Sequence, residues 1–223
     1  MERFEIDMML VKEVQAGKGC IQNPFHEFDV YDHTLVMVNE VKKLTTDKEV
    51  IAAAWLHDIG KPVVAEPRIK NGEIMFNEHG QQYQTFPDHE VVGEKMVHNL
   101  DQQLFIRHEL SQARIAKLVG SHFLPMKGIK KMRKTASWSD FIQAFKDLET
   151  TLDQTGDKVK VLTMFVADTI AKGQGAEDIA ELMAIRQAYL DQDNQDLLIR
   201  IYKIQQAEGL KDDDRYAKKD NLI

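Results

Sequence analysis

The sequence predicts an all-α protein carrying one small inserted β-hairpin, and three observations lead there. Apolar residues recur at i, i+3, i+4 and i+7 through most of the chain, the spacing that lines one face of a helix. Proline and glycine are sparse and fall where breaks are wanted: Pro24, Gly60 with Pro62, Pro67, Gly72, Gly80, Pro87, Pro125, Gly128 and Gly173. Between Arg68 and Phe76, apolar and polar residues alternate around Asn71-Gly72, and an Asn-Gly pair flanked in this way is a strong hairpin signal.

Taken in order, the helical pattern covers residues 3–16, 29–44, 47–58, 88–100, 108–122, 137–153, 157–172, 176–190 and 193–207. The segment from Val63 to Phe86 interrupts it and carries the hairpin. The stretch Lys211 to Lys219 is charged and reads as a tail. With neither an internal repeat nor a low-complexity linker, one domain over 1–223 is expected: a core at 20–175, two C-terminal helices at 176–207 and the tail at 208–223.

Composition narrows the function classes. Hydrophobic residues at 43% and charged residues at 29% describe a globular chain. A formal net charge of -7 argues against stable DNA binding, because phosphate backbones demand a basic face. Cys20 is the single cysteine, so an intramolecular disulfide and a thiolate zinc cluster are both excluded. The first residues, Met1-Glu2-Arg3-Phe4-Glu5, lack the apolar core of a signal peptide. No apolar run approaches the roughly 20 residues needed to span a bilayer. A cytoplasmic protein without membrane contact is the expectation.

The chemistry lies in where certain polar residues fall on their helices. Val30, His33, Met37, Val41 and Leu44 share one side, so His33 sits in an apolar stripe. Asp58 continues the stripe Ile51, Ala54, Trp55, and His57 continues Val50, Ala53, Ala54. His89 heads Val92, Gly93, Met96, Leu100; His122 ends Ile115, Leu118, Val119; Asp168 ends Val161, Met164, Phe165. Five helices each aim a His or Asp inward, with no matching inward Lys or Arg on these stripes. An ionised carboxylate buried without a partner costs several kcal/mol or more. One or two divalent cations compensate neutral imidazole and carboxylate together. Nitrogen-rich ligation favours Mn, Fe, Co, Ni or Zn, with Mg suited to a site using fewer histidines.

Neighbours on a helix point about 100° apart, so His57 and Asp58 can meet one metal only at a helix end. Ile59-Gly60-Lys61-Pro62 supplies it: Gly60 is expected as a left-handed C-cap, and Pro62 as a block to continuation.

His57-Asp58-Ile59-Gly60-Lys61, preceded by His33 and followed by His89, His122 and Asp168, resembles the HD-domain superfamily of metal-dependent phosphohydrolases, in the order of its two-metal form. The run Asn23-Pro24-Phe25-His26-Glu27-Phe28-Asp29-Val30-Tyr31-Asp32-His33-Thr34-Leu35 is similar to the HD domain attached to bacterial tRNA nucleotidyltransferases. Phe86-Pro87-Asp88-His89-Glu90-Val91-Val92-Gly93 and Ala167-Asp168-Thr169 extend the likeness over about 20–175. The resemblance implies an HD-type helical bundle that hydrolyses phosphomonoesters or phosphodiesters of nucleotides or RNA ends. It implies a first metal on His33, His57, Asp58 and Asp168, and a second on His89 and His122 bridged by Asp58. Metal-lowered acidity would ready a water to attack phosphorus, and Lys61 would serve a phosphate oxygen or the leaving group.

Departures restrict this. There is no Gly-Tyr-Pro after the doublet, so the cyclic-di-GMP subtype is not expected. The chain is also too short for a nucleotide-adding domain, so CCA addition is not expected. Removal of 2′-phosphates or opening of 2′,3′-cyclic phosphates remains, beside a nucleoside mono- or triphosphate hydrolase and a non-enzymatic, metal-stabilised nucleotide-binding module.

Several residues carry two readings. Asp29 and Asp32 are helix caps or acceptors for ligand histidines, with capping favoured for Asp29. His26 and Glu27 read as residues approaching the site or as exposed loop residues, the latter favoured, His79 as a substrate contact or a loop residue, and His98 and His108 as surface. The run Lys127, Lys130, Lys131, Arg133, Lys134 leaves the proposed site as a loop. It is read as a contact for extra phosphates or RNA, or as solvated charge. The C-terminal helix pair packs the bundle or offers a homodimer face.

Overall fold

The computed structural model describes residues 1–173, 177–191 and 195–207. The tail expected at 208–223 lies outside the described residues. Contacts group the chain into two units, Met1–His122 with Ile170–Gln174, and Phe123–Thr169 with Gly175–Ile223.

The first unit begins with α1 (Arg3–Met9) and α2 (Lys12–Gln15). One helix over 3–16 was expected; the chain instead turns extended at Val11, and Gln15 Nε2 donates to the freed Met9 carbonyl at 2.6 Å. Then come α3 (Val30–Leu44), α4 (Lys48–Leu56) and the single turn α5 (Lys61–Val64). Asp29 caps α3 as expected, its carboxylate accepting from the Asp32 amide at 2.8 Å and the Gly19 amide at 2.7 Å. From Val50 to Leu56 every residue of α4 is buried, which makes it the central helix of this unit. Its Ala52-Ala53-Ala54 run lets neighbours approach from every side.

The insert follows as β1 (Glu66–Pro67), β2 (Ile69–Lys70), β3 (Glu73–Ile74) and β4 (Gln84–Thr85). Asn71 and Gly72 both take positive φ, 53° and 86°, as a two-residue turn matching strand twist requires. Lys70 pairs with Glu73 across it. A second turn, organised by Asn77 Oδ1 accepting from the His79 and Gln81 amides, returns the chain so that β4 pairs with β1. Three backbone bonds of 2.9 Å close a ring: Met75 to Arg68, Tyr83 to Met75, and Arg68 to Tyr83. The expected hairpin is therefore part of a slightly larger, cross-braced unit.

α6 (His89–Asn99), the short α7 (Gln102–Ile106) and α8 (Gln112–Ser121) complete the first unit. Gln112 Nε2 donates to the Val97 and Leu100 carbonyls, ending α6. Glycines bring α6 and α8 together: a Cβ at Gly93 would lie 3.1 Å from Val119 Cγ1, and one at Gly120 would collide with Glu94.

The second unit holds α9 (Leu124–Arg133), α10 (Trp138–Asp153), α11 (Lys158–Ala171), α12 (Glu177–Leu190) and α13 (Gln195–Ala207). α11 runs past Thr169 into the segment assigned to the first unit. α9 corrects the expectation of a basic loop. Pro125 sits in its first turn, where proline's missing N–H is not needed, and Pro125, Ile129 and Met132 form its buried stripe. A Cβ at Gly128 would press on Leu148 of α10 at 2.7 Å. Tyr189 stacks on Phe145 at 4.5 Å between ring centres and donates its hydroxyl to the Phe145 carbonyl. No helix among the described residues is long and apolar enough to cross a membrane.

Candidate metal centre

The doublet stands where the central helix ends, as its spacing predicts. α4 stops at Leu56, His57 caps its C-terminal end, and Asp58 falls in the following turn. Both side chains are buried. Gly60 does not act as a left-handed cap: its φ is -73° and ψ -26°. A glycine is needed for another reason. A Cβ there would collide with the His89 carbonyl oxygen and the Gly93 amide nitrogen, so Gly60 lets the turn lie directly on the start of α6. Pro62 likewise opens a short helix, in its first turn. Gly60→Ala should destabilise the fold by about 1–3 kcal/mol and push His89 away from Asp58. The denaturation midpoint and the bound metal per chain read these two effects separately.

Four histidines are oriented by the same device. His33 Nδ1 donates to the Ala171 carbonyl at 3.2 Å, His57 Nδ1 to Ala54 at 2.9 Å, His89 Nδ1 to Phe86 at 3.0 Å and His122 Nδ1 to Val119 at 2.7 Å. A carbonyl only accepts, so each Nδ1 carries the proton. In its neutral form each ring then presents Nε2 as a lone pair, the arrangement by which protein groups fix a metal-binding tautomer.

Those lone pairs converge on Asp58. His57 Nε2 lies 3.0 Å and His33 Nε2 3.7 Å from Asp58 Oδ2, with the two nitrogens 3.3 Å apart. On the other side, His89 Nε2 is 3.5 Å from Asp58 Oδ1, and the His89 and His122 rings meet at 5.4 Å. Two groups result, His33-His57-Asp58 and Asp58-His89-His122, each with its donor atoms within 4.8 Å of one another. Asp58 belongs to both.

The residues fit divalent ions. Lone pairs and a carboxylate at such distances repel unless a cation lies among them. Bonds of about 2.0–2.2 Å at tetrahedral to octahedral angles put ligand atoms roughly 2.8–3.6 Å apart, close to the 3.0, 3.3, 3.5 and 3.7 Å present. Both Asp58 oxygens are inaccessible to solvent and accept no well-aligned hydrogen bond, although Lys61 Nζ stands 2.7 Å from Oδ2 as an ion pair. Burial pushes the Asp58 carboxyl up, but the positive charge of His57, in its protonated form, and of Lys61 outweighs it and holds it well below the usual carboxylate range in the metal-free chain. Burial also lowers His89, against the pull of Asp58, which keeps its imidazole neutral for ligation.

Lys61 is buried, 5% exposed. Besides Asp58 it donates to Gln22 Oε1 at 2.7 Å and covers the Phe86 ring at 5.4 Å. Gln22, also buried, cannot turn: its Nε2 donates to the Phe28 carbonyl at 3.2 Å, so Oε1 must face the lysine. No periodicity marks Gln22 in the sequence. Gln22→Ala should lower turnover about tenfold with metal content unchanged, as steady-state kinetics and metal analysis would read.

His26, expected as an exposed loop residue, is only partly exposed and meets the His33 ring edge-on at 5.2 Å. Glu27, His79 and His98 are exposed. His108, expected at the surface, instead pairs with Asp7 at 2.9 Å with its side chain 12% exposed. Asp168 is buried on α11, in the second unit. So is the basic run. Lys127, Lys131 and Lys134 are exposed on or just after α9 and Lys130 is partly so; Lys131 pairs with Asp147, and Arg133 with the fully buried Glu181. That engagement gives Arg133 a role within the fold that a loop reading had not foreseen.

No curated protein and no solved structure matches the chain. The family model of the HD domain does match, over residues 30–204. That span covers most of the chain and takes in His33, the doublet, His89, His122 and Asp168, and the protein therefore belongs to the HD domain family.

Proposed function

We propose that the protein is a metal-dependent phosphohydrolase acting on phosphomonoester or phosphodiester bonds of nucleotides or RNA ends, 2′-phosphates and 2′,3′-cyclic phosphates among them. Family membership supports metal-dependent hydrolysis in general. The observation that carries the phosphoester reading is the shared carboxylate: Asp58 turns one oxygen to His33 and His57 and the other to His89. Two ions so held suit the attacking and departing oxygens of a phosphoryl displacement.

His33, His57 and Asp58 would hold one ion, and Asp58, His89 and His122 the other. Asp168 joins the first set on motif order alone. Bound ions would supply Lewis acidity and a lowered water pKa. The chain's own groups do the rest. The carbonyl-bonded imidazoles are fixed in direction. Lys61, held by Gln22 and the Phe86 face, places an ammonium beside Asp58, where it can donate to a phosphoryl oxygen or a leaving oxygen.

The test is hydrolysis of p-nitrophenyl phosphate and bis-p-nitrophenyl phosphate with Mn and with chelator, then of an oligonucleotide ending in a 2′,3′-cyclic phosphate and a nucleotide panel. Mn-dependent turnover that chelator abolishes is expected. Metal-loaded protein inert towards every one of these esters would end the reading.

A further inference from the structure

We propose that Arg68, on the strand insert, binds a second, non-reacting phosphate of the substrate, on the His33 side of the metal centre. The proposal takes its substrate from the phosphohydrolase reading and otherwise stands on the surroundings of Arg68.

The chain carries 36 Asp and Glu against 29 Lys and Arg, so carboxylate partners are plentiful. Arg114 and Arg133 each take one by paired contacts. Arg68 does not. Its Nε is closed off from solvent and has no hydrogen-bond partner, and no carboxylate pairs with its guanidinium among the described residues. The residue is half-buried: its Nε is withdrawn from water without compensation, which is costly, while the outer edge of the guanidinium stays open to an anion. Its one contact is aromatic: the guanidinium covers the Phe25 ring at 5.4 Å. Stacking engages a face of the planar group and leaves its outer Nη1/Nη2 edge, away from the closed-off Nε, to meet two oxygens of a phosphate.

Backbone and neighbours hold it in place. Arg68 is one corner of the ring of 2.9 Å bonds with Met75 and Tyr83. Phe25 is fixed by Asn23, whose Oδ1 accepts from the Phe25 amide at 3.0 Å and faces His26 Nδ1 at 2.9 Å.

The location repeats a pattern seen at Lys61. Lys61 lies over Phe86, whose carbonyl holds the ligand His89. Arg68 lies over Phe25, whose chain neighbour His26 edges onto the ligand His33. Each cation is thus seated on a phenyl face beside one end of the histidine cluster. Lys61 is engaged by Asp58 and Gln22; Arg68 has its Nη donors to spare among the described residues. Substrates with a phosphate beyond the reacting one, such as an RNA end or a nucleoside bisphosphate, would gain from it, and a simple monophosphate would not.

The experiment compares adenosine 3′,5′-bisphosphate with adenosine 5′-monophosphate by calorimetry on the Mn-loaded chain of residues 1–223, as wild type, Arg68→Met and Arg68→Lys. Base, sugar and one phosphate are common to both probes. The wild type should bind the bisphosphate at least tenfold more tightly, Arg68→Met should bind both alike, and Arg68→Lys should fall between. Equal melting midpoints and unchanged kcat/KM for p-nitrophenyl phosphate show that fold and metal centre are intact. A bisphosphate preference that is absent from the wild type, or that survives in Arg68→Met, overturns the proposal. If the protein hydrolyses no ester, the phosphohydrolase reading fails by itself, and the binding ratio still decides for or against Arg68.

Discussion

Asp58→Ala is expected to abolish metal binding and lower hydrolysis at least about a thousandfold, a loss of roughly 4 kcal/mol in transition-state stabilisation. Among the described residues, Asp58 is the one residue common to both metal-capable groups, so its removal takes a carboxylate from each. The substitution also acts without metal. Lys61 is buried beside Asp58 Oδ2 at 2.7 Å, and breaking a buried pair from one side costs about 3–5 kcal/mol. Metal-free Asp58→Ala should therefore melt well below the metal-free wild type, by some 6–20 °C at about 2–4 °C per kcal/mol. Lys61→Met leaves the buried carboxylate behind and should also destabilise the metal-free protein. It should not weaken metal binding, because it removes a positive charge that competes for Asp58. The double variant carries neither charge and should recover most of the melting temperature while remaining inactive. Metal analysis, calorimetry and kinetics on the four proteins separate the two roles of Asp58. Asp58→Ala that keeps its metal and its activity contradicts the assignment.

The site was legible in the sequence wherever a helix imposed a period. His33, His57, Asp58, His89 and His122 each continue an apolar stripe, and a polar residue in such a stripe is conspicuous because burial without a partner is costly. What escaped was set by tertiary contact. Gln22 and His26 lie in the loop ahead of α3, where no repeat predicts which way a side chain turns. His108 reads as a polar-turn residue until Asp7, 101 positions away, is found beside it. Gly60 was legible as necessary but for the wrong reason, since its neighbour is the backbone of α6 and not its own helix. α9 was missed because Pro125 and Gly128 look like breakers; the stripe Pro125, Ile129, Met132 was present beneath the lysines, and proline in a first helical turn breaks nothing. α5 and α7, four and five residues long, are too short to display a period at all. The hairpin was found from Asn71-Gly72, but its return strand depends on Asn77 organising a longer turn, a feature that alternation alone does not signal.

Metal loading should stabilise the protein in two resolvable steps. Each ion that binds the folded chain and not the unfolded one adds RT ln(1 + [M]/Kd), about 2.7 kcal/mol at a hundredfold excess over Kd, or roughly 5–11 °C for a chain of this size. The two groups share Asp58 but draw on separate histidines, His33 and His57 against His89 and His122, so single substitutions should separate the steps. His122→Ala should reduce two ions per chain to one and remove one thermal increment; His33→Ala should do the same from the other side. Both ligand sets need neutral imidazole, so each increment should shrink as pH falls through the range in which histidine protonates. For His89 that range lies below the ordinary value, because burial disfavours its charged form. The folded-state pKa is thus below that of the unfolded chain, and the stability His89 confers is present at neutral pH and lost on acidification through the lowered value. His89 should on this account remain available as a ligand to lower pH than an exposed histidine would. Metal stoichiometry measured from pH 7.5 down to 5 in the wild type, His33→Ala and His122→Ala would show it. One ion per chain in the wild type, undiminished in His122→Ala, would mean that Asp58 serves a single centre and that His89 and His122 face the substrate instead.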